Sequence, residues 1–302
     1  MNNNILKGSL LVALGASSYG MLATFVKMAY SEGFSTAEVT LSQFSLGFLG
    51  LLILTAFGKK QPKVATQTSP TKSILKLMTA GISMGLTSIF YYMSVQYLPV
   101  SVGIVLLMQT VWMGVILEMI LHRKAPGLRK IGSVIIILAG TVLATNVLNQ
   151  SIPVSWVGIG WGLLAAMSYT ASVYASNSIE LHLPPLRRSL FLIFGGLITI
   201  ALIFHASING NFSFDIFLRW GLVLSLFGTI LPPLLFTRGM PLTGMGLGAI
   251  IAAVEIPVSV LMAHFVLGEV VNLPQWVGIV LILSAVVLMN LKMNRAAKAQ
   301  DA

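Results

Sequence analysis

The sequence predicts an all-α integral membrane protein whose ten transmembrane helices form two inverted five-helix repeats, with both termini on the cytoplasmic side. Hydrophobic residues make up 56% of the 302 residues and charged residues only 9%, against about 25% charged in a typical soluble domain. The apolar residues fall into ten runs, and the second half of the chain resembles the first. Such a chain has too little polar surface to cover a water-soluble fold.

Each of the ten runs is long enough to cross a bilayer, which takes about 20 mostly apolar residues. The first run begins at Lys7 and continues to Ala29, which exceeds the roughly 7–15 apolar residues of a signal peptide. It is therefore predicted to be retained as the first span. In order, the predicted spans are residues 7–29, 37–57, 74–96, 99–121, 128–147, 156–178, 189–207, 217–237, 241–267 and 272–290.

The connections between spans carry a lopsided distribution of charge. When the N-terminus is placed inside and the spans alternate, 16 of the 18 Lys and Arg residues fall on the inner side. Inner loops of membrane proteins are enriched in Lys and Arg. The distribution predicts ten spans, both termini inside, and a location in the inner membrane of the cell.

Composition and motifs exclude several classes of function. The net charge of +10 lies in short loops, which favours membrane topology over nucleic-acid binding. The chain has no cysteine, and no metal site or cofactor is predicted. Sequences typical of a zinc protease, a serine hydrolase or a Walker A loop are missing from it, so the sequence predicts neither an enzyme nor an ATP-driven pump.

The two halves, residues 1–148 and 149–302, share short sequence patterns. "GSLLVALGASSYG" begins at Gly8 and "GIGWGLLAAMSYT" at Gly158, with Ser-Tyr at the same place in both. At an offset of 146, Gln109 of the first half corresponds to Glu255 of the second. Because five spans is an odd number, the second half would enter the membrane from the opposite side, as in many transporters that bind solute at the midplane.

Polar side chains near the middle of the spans are the candidate binding residues. Charged and polar groups at this depth usually face a bundle interior or a wet cavity, because contact with lipid is costly. The residues at repeat-related midplane positions are Ser18, Tyr19, Gln109, Ser168, Tyr169 and Glu255. Gln43, Tyr91, Trp112 and Trp161 are further candidates, in the second, third, fourth and sixth spans.

Glu255 is the one acid of this group, and Pro257 follows it closely. Proline lacks an N–H and clashes with the carbonyl four residues back, so Pro257 is expected to free the carbonyl of Ala253 for a ligand. The alternative is that Glu255 is protonated and hydrogen-bonded to a neighbouring helix, as a packing contact alone.

With these features the chain resembles the EamA branch of the drug/metabolite transporter superfamily, over nearly its whole length. The resemblance rests on "SYG" at 18–20 followed by Lys27, "QF" at 43–44, "YLPVSVGIVLL" at 97–107, "VEIPVSVLMAHFVLGE" at 254–269 and "LPQWVGIVLILSAVVLM" at 273–289. The glutamate and proline that the family usually has adjacent are separated here by Ile256, and Gln43 stands where the family often has arginine. The resemblance implies a ten-helix basket around a central cavity, and solutes such as amino acids, metabolites, nucleotide sugars or drugs, often moved outward.

The sequence therefore predicts a secondary transporter that exports small polar organic solutes, such as amino acids or related metabolites, by alternating access. The partners expected are the solute, the lipid bilayer and, through Glu255, a coupling proton. Two alternatives stay open: a non-transporting membrane scaffold, and a transporter of drugs or nucleotide sugars. Nucleotide sugars are disfavoured because a polyanion needs cations at depth.

Overall fold

The computed structural model describes residues 3–57, 69–98, 100–149, 155–208 and 210–300. Throughout these residues the chain is helical and contains no strand. Most of the basic connection after the second predicted span, residues 58–68, lies outside the described part of the chain. So does Pro99, the first residue of the fourth predicted span.

Once helices that continue into each other are joined, the helices agree in number and order with the ten predicted spans. Their bounds are α1 (Asn3–Ser31), α2 (Thr36–Phe57), α3 (Pro70–Tyr97), α4 (Val100–Leu107), α5 (Thr110–His122), α6 (Leu128–Ala144), α7 (Trp156–Ser178), α8 (Pro185–Phe204), α9 (Leu222–Ser225), α10 (Leu231–Thr243), α11 (Met245–Ala252), α12 (Glu255–Leu267) and α13 (Leu273–Gln300). Two π-helical segments, Phe217–Gly221 and Leu226–Ile230, join α9 and α10 into one rod. Since α4 continues into α5 and α11 into α12, the described residues form ten helical rods.

Seven of these rods are long and apolar enough to cross a membrane on their own, and Leu273–Met289 is a shorter apolar helix. Many of their large apolar side chains face outward, among them Leu10, Leu14 and Phe265. An outward apolar surface of this extent suits a lipid environment. The part of the chain that the structure describes is thus an all-helical membrane protein.

Two rods are interrupted at corresponding places. The break between α4 and α5 lies at Met108–Gln109, and the break between α11 and α12 at Ala253–Val254. Both first pieces have 8 residues and both second pieces have 13. Each second-half piece begins 145 residues after its counterpart, so the residue that corresponds to Glu255 is Thr110. The pairing of Gln109 with Glu255 expected from the sequence is one residue out.

Helices of the first half pack against helices of the second. The α1 helix lies along α10, α3 along α7 and α8, and α6 along α13. Two serine hydroxyls join these pairs through backbone carbonyls: Ser18 Oγ donates to Phe227 O at 2.9 Å, and Ser168 Oγ donates to Ser83 O at 2.9 Å. The halves are therefore interleaved, and the core lies between them.

Glycines allow α3 and α8 to approach backbone to backbone. A Cβ at Gly81 would lie 2.0 Å from the carbonyl oxygen of Leu192, and one at Gly195 would lie 1.9 Å from that of Met78. Small residues commonly permit this kind of approach between membrane helices. Any larger residue would force the two helices apart.

We expect Gly81→Ala to destabilise the protein by about 1–3 kcal/mol, because the added methyl group overlaps a backbone atom that cannot move alone. Gly160→Ala in α7 is the matched control, since a Cβ there has no atom within 4 Å. Thermal unfolding in detergent should show a lower midpoint for Gly81→Ala and an unchanged or higher midpoint for Gly160→Ala. Equal midpoints would contradict close packing of α3 on α8.

Candidate functional site

Glu255 is the first residue of α12, directly after the break in its rod. Its side chain is part-buried, so one side of it stays accessible. Pro257 lies in the first turn of α12, where a missing N–H costs no helical hydrogen bond. The Ala253 carbonyl accepts a bond from the N–H of Ile256 at 3.2 Å. The expectation that Pro257 leaves this carbonyl free for a ligand is therefore wrong, because the chain turns before the proline and uses it.

Aromatic side chains lie near the carboxylate on more than one helix. The hydroxyl of Tyr169 donates to Glu255 Oε2 at 3.4 Å. Tyr19 meets the Tyr169 ring edge to face at 6.3 Å and the Phe236 ring at 5.8 Å between centroids. Tyr91 is close enough for its hydroxyl to interact electrostatically with Glu255. The structure thus brings together four of the predicted residues, Tyr19, Tyr91, Tyr169 and Glu255, and we call them the Glu255 cluster.

The backbone of α1 lies directly against this cluster. A Cβ at Gly20 would lie 2.5 Å from the carbonyl oxygen of Glu255 and 2.9 Å from the Cβ of Val258. Only glycine allows α1 this close, and the approach places Tyr19, the preceding residue, beside the acid. The "SYG" sequence therefore has a geometric role at the site.

The carboxylate of Glu255 forms no ion pair with any described residue, although other acids do. Glu118 pairs with Lys130 at 2.7 Å, and Glu269 pairs with Lys27. The Tyr169 hydroxyl donates to the Glu255 carboxylate and so favours its negative charge. A solute cation or a proton would supply what is missing, because a charge at this depth is costly without a partner.

The remaining predicted residues are engaged elsewhere. Ser18 and Ser168 hold helix pairs together, as described above. Gln43 is buried with its amide against Gly228, where a Cβ would lie 2.3 Å from Nε2. Trp161 stacks on Phe90 at 5.6 Å.

Gln109 and Trp112 bond to each other and to the chain around the first break. Gln109 Nε2 donates to Val105 O at 2.9 Å, and Trp112 Nε1 donates to Gln109 Oε1 at 2.8 Å. Both polar ends of the Gln109 amide thus have a partner within one rod. In this conformation the pair stabilises the break between α4 and α5.

A pair of threonine hydroxyls, not predicted from the sequence, lies at the place in the first half that corresponds to the contact of Glu255 with Gly20. Thr110 and Thr170 share a hydrogen bond of 2.8 Å between α5 and α7, at the place where Glu255 meets Gly20 between α12 and α1. Thr170 follows the Ser-Tyr of the second half as Gly20 follows that of the first. That alignment was the available signal, but the one-residue error at Gln109 hid it.

Comparison with known proteins agrees with this architecture. The model of the EamA-like transporter family matches residues 6–146 and again residues 156–291. The chain belongs to the EamA-like transporter family. It is a multi-pass transporter of the inner membrane, and transporters of this family are not enzymes.

A curated relative and a solved structure match nearly the whole chain. The chain is 26% identical over 305 residues to the "Uncharacterized inner membrane transporter YicL" of Salmonella typhimurium, a match that covers 97% of this chain and 98% of that protein. A solved structure titled "Crystal structure of protein" covers 94% of this chain and 96% of its own, with a TM-score of 0.72 and 12% identity. At that identity the solved structure bears on the fold alone.

Proposed function

We propose that this EamA-family protein is a secondary transporter that exports small polar organic solutes with a protonated amine, such as amino acids or related metabolites. The observation that carries the proposal is the carboxylate of Glu255, which lies inside the membrane without an ion-pair partner among the described residues. An ammonium group would pair with it, and aromatic faces beside a carboxylate also favour cations. Two proposed repeats, residues 1–148 and 149–302, of opposite orientation would rock around this site.

The same carboxylate suggests how transport is coupled. Glu255 can hold a solute cation or a proton, but one carboxylate does not neutralise both at once. A solute released on one side would leave the acid to take up a proton there. We therefore propose that solute efflux exchanges for proton entry.

The charge of the cluster argues against the other solutes of the family. Among the described residues, neither an Arg nor a Lys pairs with Glu255. A nucleotide sugar would bring two phosphates toward a carboxylate without a compensating cation. Uncharged or cationic drugs of small size remain compatible with the cluster and belong in the assay.

Counterflow in proteoliposomes tests the proposal. Vesicles are loaded with unlabelled amino acids, amines, uncharged metabolites or nucleotide sugars, and uptake of the labelled solute is followed with and without a pH gradient. We expect saturable exchange for amine-bearing solutes, and faster uptake of the labelled solute under an outward proton gradient, because solute entry then exchanges for proton exit. Exchange of nucleotide sugars alone would refute the solute class, and no exchange by folded protein across the whole panel would favour a scaffold.

We expect Tyr169→Phe to weaken solute binding roughly tenfold, because among the described residues it removes the hydroxyl that bonds Glu255. Hydrogen bonds to charged groups contribute about 1.5–3 kcal/mol. Tyr19→Phe is the matched control. The Tyr19 hydroxyl has no hydrogen bond with a described residue, and its ring contacts survive the change. Half-saturation in counterflow should rise for Tyr169→Phe and stay within about twofold for Tyr19→Phe; an equal rise in both would contradict a special role for the Tyr169 hydroxyl.

A further inference from the structure

A cavity far from the Glu255 cluster lies at the end of the bundle where α1 begins. Its volume is about 440 Å³, and its walls come from α1, the connection before α8, the start of α8, and α10. Cavities of roughly 300–1,000 Å³ are typical of small-molecule sites. In the predicted orientation this end of the bundle faces the cytoplasm.

Three basic side chains line the cavity, one from each of three helices: Lys7, Arg188 and Arg238. No acid is among its lining residues. Lys7 and Arg238 are exposed and have neither a hydrogen bond nor an ion pair with any described residue. Three like charges around one cavity repel each other unless an anion lies between them.

Arg188 gives the cavity a buried, fixed charge. It is 2% exposed, and four of its five N–H groups donate to backbone carbonyls. The fifth N–H, on Nη1, remains available. Glu180 is the nearest acid in sequence, but it pairs with Lys76 at 3.3 Å and with His182 at 3.4 Å. The charge of Arg188 is therefore not neutralised by a carboxylate of the described chain.

The remaining lining residues of the cavity are apolar except for Thr237. Leu11, Leu181 and Leu242 line the cavity. Leu11 and Leu14 follow Lys7 at helical spacing on one face of α1, and Leu14 is 59% exposed. A ligand that fills this space would carry a negative head and an apolar tail.

We propose that this cavity binds the headgroup of an anionic phospholipid, with the phosphate between Lys7, Arg188 and Arg238 and an acyl chain along α1 beside Leu14. Basic pockets between transmembrane helices on the cytoplasmic side bind anionic lipid headgroups in other membrane proteins. A free phosphate shares the charge but gains nothing from the apolar walls. The site is separate from the Glu255 cluster, and lipid binding there does not require a transported solute.

The test counts lipids bound to the full-length protein in detergent by native mass spectrometry. Dioleoyl phosphatidylglycerol and dioleoyl phosphatidylcholine are titrated against the wild type and against Lys7→Gln/Arg238→Gln. We expect the wild type to prefer phosphatidylglycerol and the double variant to bind it about 5-fold to 25-fold more weakly, at roughly fivefold for each charge. Binding of phosphatidylcholine should not change.

Lys124→Gln/Arg129→Gln is the matched control, because both residues are exposed cations predicted at the same end and neither lines the cavity. An equal loss of phosphatidylglycerol in both double variants would overturn the site. So would equal binding of the two lipids by the wild type. Glycerol 3-phosphate serves as the water-soluble comparison ligand. If it binds as tightly as phosphatidylglycerol, the cavity takes free phosphate esters and the lipid assignment is wrong.

Discussion

Glu255→Gln is expected to lower transport of amine-bearing solutes by about 10- to 100-fold while the protein stays folded. Glutamine keeps the shape of the side chain and can still accept a bond from Tyr169, but it cannot carry the charge that the solute ammonium needs. Losing one charge-assisted contact in a site of low dielectric costs about 1.5–3 kcal/mol, and about 1.4 kcal/mol is a factor of ten. The loss of proton exchange adds to this effect.

Counterflow and proton flux should be measured together for this variant. We expect solute exchange to fall and the remaining exchange to lose its dependence on a pH gradient, since glutamine does not titrate. Glu32→Gln is the control because Glu32 is an exposed acid whose partner, Arg219, lies 3.7 Å away. A Glu255→Gln protein that exchanges solute like the Glu32→Gln protein would reduce Glu255 to a packing residue.

The helix count could be predicted from the sequence because length and apolarity determine it. Ten runs of about 20 residues leave few other arrangements in a bilayer. The breaks within two rods could not be predicted in this way. Both sides of Ala253 are strongly apolar, and the backbone of α1 approaches the break closely at Gly20. Such a contact between distant helices leaves no local pattern.

The candidate site was predicted in part, for a reason that the serines illustrate. Depth in the membrane selects polar residues, but it does not distinguish a side chain that faces the cavity from one that joins two helices. Ser18 and Tyr19 are adjacent, and the structure directs the serine to Phe227 and the tyrosine to Tyr169. Adjacent residues of a helix point in directions about 100° apart. Assigning a role to each therefore requires knowing which helix packs on each side of α1.

Arg188 is the residue whose role was least apparent from the sequence. It stands beside Arg187, and the predicted topology places both on the inner side with the other loop cations. Arg187 is exposed, whereas Arg188 shares its helix face with Leu192 and Gly195, which pack in the interior. That spacing of three and four residues was the signal that could have separated the two arginines.

Arg188→Met is expected to destabilise the protein by about 3–5 kcal/mol, because it leaves several buried carbonyls without a donor. Three of these carbonyls, those of Ala175, Ser176 and Ile179, lie at the end of α7. The Ala175 carbonyl also accepts from the N–H of Ile179 at 3.2 Å, whereas the last carbonyls of a helix have no partner within it. The fourth is Thr237 O, 2.8 Å from Nη1. Four residues after Thr237 stands Pro241, which has no N–H to offer it.

The Arg188 guanidinium thus supplies the N–H donors that the end of α7 and Pro241 do not provide. In doing so it joins α7, α8 and α10. Arg187→Met is the control, since it removes the same charge from the neighbouring exposed position. Thermal unfolding in detergent should show a midpoint lower by on the order of 10 °C for Arg188→Met and little change for Arg187→Met. Arg188→Lys should not restore the midpoint, because an ammonium cannot reach four carbonyls in a planar fork; equal midpoints for the two methionine variants would show that the carbonyls find other donors.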